Sequence, residues 1–220
     1  LCRPYAWDDS REYDRGKVMT YERLDAGADF GRYLDVDGDG IPFRTYPGTH
    51  PTRGGYFTRG TTKNRYAQYS EAGPDYVDNM QRLMRKFETA KSLVPKPLLY
   101  PAEKPARFGA IFYGSTSPAM QEALDTLSEK GIHVNALRIR GFPFADELSD
   151  FVASHPWVFV IEQNRDAQLK TLMVTDGKIN PARLISVLHY DGTPITARFI
   201  VEQISRHAGA RSVVPLKKAS

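Results

Sequence analysis

The sequence predicts an α/β protein: a parallel sheet flanked by helices over residues 108–220, preceded by an irregular region containing one long helix. Three observations carry this reading. From Phe108 onward, short apolar runs alternate with helix-like segments, the grammar of strands joined by crossover helices. One such run, Val158-Phe159-Val160-Ile161, leads straight into the polar cluster Glu162-Gln163-Asn164-Arg165-Asp166. Parallel sheets place polar groups in this way at the carboxyl ends of their strands. Residues 1–107, by contrast, are rich in Gly, Pro, Tyr and charge, with few strand-like runs.

Within residues 1–107 one segment breaks the irregular pattern. Tyr76, Met80, Leu83, Met84 and Phe87 fall on one stripe of an amphipathic helix over 75–93. Pro74 precedes it, and Pro95 and Pro97 follow, as helix punctuation requires. The proline-dense stretch 95–107 reads as a semi-rigid linker, and the domain boundary is expected there.

Phe108 to Tyr113 is the first strand of the second region. Gly114-Ser115-Thr116-Ser117-Pro118 offers hydroxyl caps and an early proline to a helix over 119–130, which Gly131 stops. A strand over 132–139, a helix over 146–154, a strand over 158–161 and a helix over 167–174 follow. A strand over 185–189 and a closing helix over 196–207 complete the region, with Phe199, Ile200 and Ile204 facing inward.

The 220 residues carry a net charge of +4, shared equally between residues 1–104 and 105–220. A nucleic-acid binder concentrates its charge on one face or tail, so that class is not expected. Cys2 is the single cysteine; this chain alone supplies no disulfide and no iron–sulfur ligand set. No run reaches the ~20 apolar residues of a membrane span, and the opening residues lack the apolar core of a signal peptide. A cytoplasmic location is expected. The chain opens without Met, like a loop entered in mid-domain, so it is expected to be one segment of a longer polypeptide.

Four groups of residues are candidates for chemistry. Asp35, Asp37 and Asp39, with Gly40, resemble the opening of a calcium loop, but position 12 is Tyr46 where an EF-hand needs a bidentate carboxylate. The three carboxylates remain a candidate metal site, beside the reading of an Asx-rich turn. From Ile41 through Ser70 there is no acidic residue, while Arg44, Arg53, Arg59, Lys63 and Arg65 supply positive charge. Arg44 and Arg59 are candidate contacts for a phosphate such as that of coenzyme A, or for an acidic patch on a partner subunit, with a solvated basic loop as the alternative. Gly114 to Ser117 could bind an anion at a helix start, although capping accounts for every residue. Glu162, Gln163, Asn164 and Arg165 are candidate interface residues, with helix capping and an internal Arg–carboxylate pair as the alternative. No catalytic residue is identified. The five histidines show no metal-ligand spacing.

Residues 158–169 (VFVIEQNRDAQL) and 32–51 (RYLDVDGDGIPFRTYPGTHP) resemble the α subunits of 2-oxoacid:ferredoxin oxidoreductases, especially the 2-oxoglutarate type. The resemblance also covers 13–17, 56–60, 76–91, 108–118 and 136–144. The resemblance implies that residues 108–220 are a transketolase C-terminal-like domain and that residues 1–94 complete a thiamine-diphosphate pyrimidine-type domain. It further implies a C-terminal portion of such an α subunit, in an α/β hetero-oligomer. The β subunit of that complex carries thiamine diphosphate, Mg²⁺ and a [4Fe–4S] cluster. The complex oxidatively decarboxylates a 2-oxoacid, passes the acyl group to coenzyme A and reduces ferredoxin. The family's Tyr-Pro-Ile-Thr-Pro-Ser type pocket signature is absent from this chain, so the segment is expected to hold no complete active site. A stand-alone assembly module of the transketolase C-terminal type, without a redox role, is the alternative.

Overall fold

The computed structural model describes residues 6–212, with side chains through 209; Cys2 lies outside them. The chain divides into two compact units, the first ending at Thr89 and the second beginning at Ala90.

The second unit is built on a five-stranded sheet. Its strands are β1 (Leu98–Tyr100), β2 (Phe108–Tyr113), β3 (Val134–Ile139), β4 (Trp157–Glu162) and β5 (Leu184–Leu188), in the order β1-β3-β2-β4-β5. All neighbours run parallel except β1, which pairs antiparallel with β3 from Leu98↔Arg138 to Tyr100↔Ala136. The helices are α3 (Ser117–Glu129), α4 (Glu147–Ala153), α5 (Gln168–Thr175) and α6 (Ala197–Ser212).

Alternation along each strand sorts the core into two layers. Ala110, Phe112, Phe159 and Ile161 join Met120, Leu127, Ile200 and Ile204 on the side of α3 and α6. Ile111, Val158 and Val160 join Leu148, Phe151, Leu169 and Met173 on the side of α4 and α5. Both faces of the sheet are therefore covered, which is why its strands are apolar runs rather than alternating ones. Gly109 belongs to this fit: a Cβ there would lie 2.8 Å from the Phe151 ring.

The proline-rich stretch is not simply a linker. Leu98 to Tyr100 hydrogen-bond to β3 as an edge strand, a place where flanking prolines cost no ladder bond. The division into compact units falls between Thr89 and Ala90, inside the long helix.

The first unit is mostly irregular, with two helices, α1 (Tyr21–Asp25) and α2 (Gly73–Leu93). Thr20 caps α1 by accepting from the Arg23 amide, and Val18 bridges Arg44. Its buried apolar side chains are few among the described residues: Met19, Leu24 and Ala67 lie below 4% exposure. The apolar stripe of α2 is largely exposed, with Met84 69% exposed and Tyr76 half exposed. The buried residue of α2 is Arg82. Burial here follows what the chain offers for packing, and the loop before α2 offers polar backbone.

Among the described residues no helix is long and apolar enough to cross a membrane.

Candidate functional site

In this strand order the chain leaves β2 towards β3 on one side and leaves β4 towards β5 on the other. The crevice outside the carboxyl ends of β2 and β4 is therefore the topological switch point, where open α/β sheets receive ligands. Two of the sequence candidates meet there. Gly114 to Thr116 form a 3-10 turn after β2, and Glu162 to Asp166 follow β4.

Gln163 joins the two strands across this crevice. Its Nε2 donates to Ser115 Oγ at 3.1 Å and Thr116 Oγ1 at 3.2 Å, and its Oε1 accepts from the Ile195 amide at 3.3 Å. The hydroxyls expected to cap α3 make no capping bond; they receive the glutamine amide instead. The glutamine NH2 is thus taken up by these two hydroxyls, which accept from it.

Glu162 is fully buried. Its carboxylate accepts from the Leu169 amide at 2.6 Å, the Lys170 amide at 3.1 Å and Asn164 Nδ2 at 2.8 Å. The last residue of β4 thereby caps α5, placing a negative charge on the positive end of the helix. Asn164 Oδ1 accepts from the Asp166 and Gln168 amides. Arg165 Nε pairs with Asp166 at 2.7 Å on the surface. The carboxylate oxygens of Glu162 are enclosed and occupied within its own chain. Gln163 and Arg165 are exposed and Asn164 is half-buried.

Beside this edge, a cavity of about 720 Å³ opens at the ends of β2 and β3, with Tyr113, Phe144 and Leu169 as apolar wall and Arg138 and Arg140 as its basic members. The first amides of α5 are already taken by Glu162 and Asn164, and Arg140 gives its Nε to the Lys96 carbonyl at 2.7 Å.

The carboxylates of the Asp35–Asp39 loop are held by basic groups of the same unit. Lys17 Nζ lies 2.6 Å from both Asp37 Oδ2 and Asp39 Oδ2. Arg85 pairs with Asp35 Oδ2 at 3.1 Å, and Asp35 Oδ1 accepts from the Gly40 amide. Arg82 Nη1 donates to the Gly40 carbonyl and Thr89 to that of Asp39. Lys17 and Arg85 thus supply positive charge to all three carboxylates of the candidate metal site Asp35, Asp37 and Asp39. Among the described residues no group of three or more His, Cys, Asp or Glu side chains is placed to hold a metal ion.

Burial works against the charge of Asp39, but the Lys17 ammonium and the Ile41 amide outweigh it and hold the carboxyl below its usual value. Burial likewise opposes the Lys17 ammonium, and its bonds to Asp37 and Asp39 still leave its pKa raised. Sequence reasoning missed Lys17, which is 20 residues from Asp37. The α2 partners left a signal: Arg82, Arg85 and Thr89 share one helical stripe opposite the apolar one.

The basic run disperses. Arg53 donates to the Leu24 carbonyl at 2.8 Å, and Arg65 pairs with Asp78 at 3.2 Å. Arg44 is half-buried, donates to the Arg15 carbonyl and lies over the Tyr46 ring, while Arg59 is exposed. A cavity of about 330 Å³ beside this run is lined by Arg53 and His50 and by neither Arg44 nor Arg59. His155 is buried between Asn135 and the Phe151 carbonyl, a packed histidine rather than a ligand.

No family model matches the chain. The α subunit of 2-oxoacid:ferredoxin oxidoreductase 2 from Aeropyrum pernix is 27% identical over 202 residues, which cover 87% of this chain and 29% of that protein. The solved 2-oxoglutarate:ferredoxin oxidoreductase from Magnetococcus marinus, with 2-oxoglutarate, coenzyme A and succinyl-CoA bound, matches with a TM-score of 0.70 at 20% identity. That match covers 83% of this chain and 31% of the other. The α chain of a probable 2-oxoacid ferredoxin oxidoreductase from Thermoplasma acidophilum is 25% identical over 52% of this chain, with a TM-score of 0.36. The chain spans less than a third of the length of the Aeropyrum and Magnetococcus proteins. In sequence this chain is similar to part of the α subunit of a 2-oxoacid:ferredoxin oxidoreductase, and in fold to part of the Magnetococcus oxidoreductase.

Proposed function

We propose that the chain is a structural and subunit-interface part of the α subunit of a 2-oxoacid:ferredoxin oxidoreductase, of the 2-oxoglutarate type, in the cytoplasm. The enzyme would oxidatively decarboxylate the 2-oxoacid, transfer the acyl group to coenzyme A and reduce ferredoxin. The single observation that carries this is the 27% identity spread over 87% of the chain, because one shared motif would not extend through both units.

Thiamine diphosphate, Mg²⁺ and the [4Fe–4S] cluster would reside in the β subunit. This agrees with the chemistry here: the carboxylates suited to Mg²⁺ are neutralised by Lys17 and Arg85, and one cysteine cannot ligate a cluster. The switch-point crevice is stitched by Gln163, which favours a supporting role over catalysis. Residues 1–94 would complete the pyrimidine-type domain, and Gln163, Asn164 and Arg165 would face a neighbouring subunit. The outward stripe of α2 adds apolar area suited to such contact. Arg59 is free to meet a coenzyme A phosphate, and Arg44 has donors beyond the one it gives to Arg15.

The test is a native pull-down with this chain, assayed for 2-oxoglutarate- and coenzyme-A-dependent reduction of methyl viologen. Recovery of that activity with a thiamine-containing partner is expected. A stable partner that brings down neither thiamine diphosphate nor viologen reduction would overturn the reading.

A further inference from the structure

Three cations surround the ring of Tyr33: Lys63 Nζ at 5.3 Å, Arg82 Cζ at 5.6 Å and Arg32 Cζ at 5.8 Å from its centroid. Their neighbours Arg65 and Arg85 have Asp78 and Asp35 as partners. Among the described residues neither Lys63 nor Arg82 makes an ion pair with a carboxylate. Arg82 is only 6% exposed, and its Nε is buried without a hydrogen-bond partner. Buried charges are ordinarily paired, so this guanidinium has an unmet demand. Burial first, and then the charge of Arg32, push its pKa down, with Asp35 only partly compensating.

A cavity of about 210 Å³ opens against these groups, lined by Tyr33, Thr62, Lys63, Tyr76, Asn79 and Arg82 among others. Its walls combine two cationic side chains and several hydroxyls, donors suited to an acceptor with oxygens on several sides, with the apolar Met80 and Leu83. The Asn79 amide is already given to the Lys63 and Asp75 carbonyls. The volume falls below the ~300–1,000 Å³ of pockets that enclose drug-sized ligands. It suits a small anion, or the anionic end of a larger molecule.

We propose that this cavity is a binding site for a phosphate-type oxyanion, held by Lys63 and Arg82 with hydroxyl donors from Thr62 and Tyr76. A dianion there supplies the countercharge that the protein omits. The site is separate from Arg44 and Arg59 and does not depend on the oxidoreductase reading.

The experiment is a titration of the ¹⁵N-labelled chain with inorganic phosphate, sodium chloride holding the ionic strength constant. Saturable shifts are expected at the backbone amides of Thr61 to Lys63 and at the Asn79 side-chain amide. Lys63→Gln should weaken the apparent affinity about tenfold, the equivalent of one charge-assisted hydrogen bond, while Lys63→Arg keeps most of it. Arg82→Gln should abolish binding; should that variant fail to fold because Gly40 loses its partner, the Lys63 pair decides. Shifts that do not saturate, that centre on Arg44 and Arg59, or that are unchanged by Lys63→Gln overturn the proposal. A parallel titration with glycerol 3-phosphate identifies the source. Comparable binding supports the site as one for the phosphate of a larger molecule, and binding of inorganic phosphate alone supports it as one for the free ion. No activity is measured, so a negative result leaves the reading of the enzyme intact.

Discussion

Replacing Glu162 by alanine removes the acceptor for two helix amides and the Asn164 side chain in one step. Each donor left buried without a partner costs about 1–3 kcal/mol. The expected loss for Glu162→Ala is therefore about 2–4 kcal/mol, read from urea unfolding of the second unit. Glu162→Gln keeps the shape and one acceptor oxygen but turns the other into an NH2 facing an N–H donor, so it should lose nearly as much. An unchanged midpoint for both would mean that the carboxylate does not hold α5. The cluster itself was legible as a strand end entering polar residues. Its internal wiring was not, because Gln163 finds Ser115 48 positions away, and no local spacing encodes that pair.

At the scale of elements, the docking of the Asp35–Gly40 loop on α2 depends on one glycine. Gly40 has φ +79, and a Cβ there would lie 2.2 Å from the Lys86 amide nitrogen. Gly40→Ala combines left-handed strain with a backbone clash and should destabilise the first unit by about 2–4 kcal/mol, seen in thermal melts. The same loop predicts a pH profile. Asp39 is held below its usual pKa, so its contribution is complete above the ordinary carboxylate range and lost as pH falls through the lowered value. Lys17 is raised, so its contribution is complete below the ordinary ammonium pKa and lost as pH rises through the raised one. Amide shifts of Gly38 to Ile41 should stay constant through neutral pH and move at both extremes. Partial exposure keeps each contribution small, about 1 kcal/mol or less. The period of α2 was readable from Tyr76, Met80, Met84 and Phe87. The direction it faces was not, since periodicity reports that two faces differ without naming what each one meets. The edge strand β1 escaped notice because three residues between prolines carry no period at all.

Across the whole molecule the two units differ in what holds them. The second buries two full apolar layers, whereas the first relies on hydrogen bonds and ion pairs around Met19 and Leu24. Hydrogen exchange should accordingly be slow in β2 and β4 and much faster in residues 6–70, because local opening follows local burial. Equal protection would contradict that division. If the outward stripe of α2 meets another subunit, Met84→Glu should abolish co-purification with the partner. The chain's own stability should stay within about 0.5 kcal/mol of the parent, as for exposed positions generally. The alternation of strands and helices made the second unit readable from sequence alone, since each strand buried on both faces declares itself by composition. The first unit resisted such reading because polar pairings between distant residues shape it.

Lys17 gives the first unit a cation that is covalently attached. A divalent ion can be stripped by a chelator, exchanged for another metal or left unfilled when supply runs short, and a loop that depends on it inherits those states. A tethered ammonium between Asp37 and Asp39 arrives with translation, at fixed stoichiometry, and answers only to protons and ionic strength. The fold of this unit should thus be indifferent to EDTA and to added calcium, its melting temperature unmoved by either.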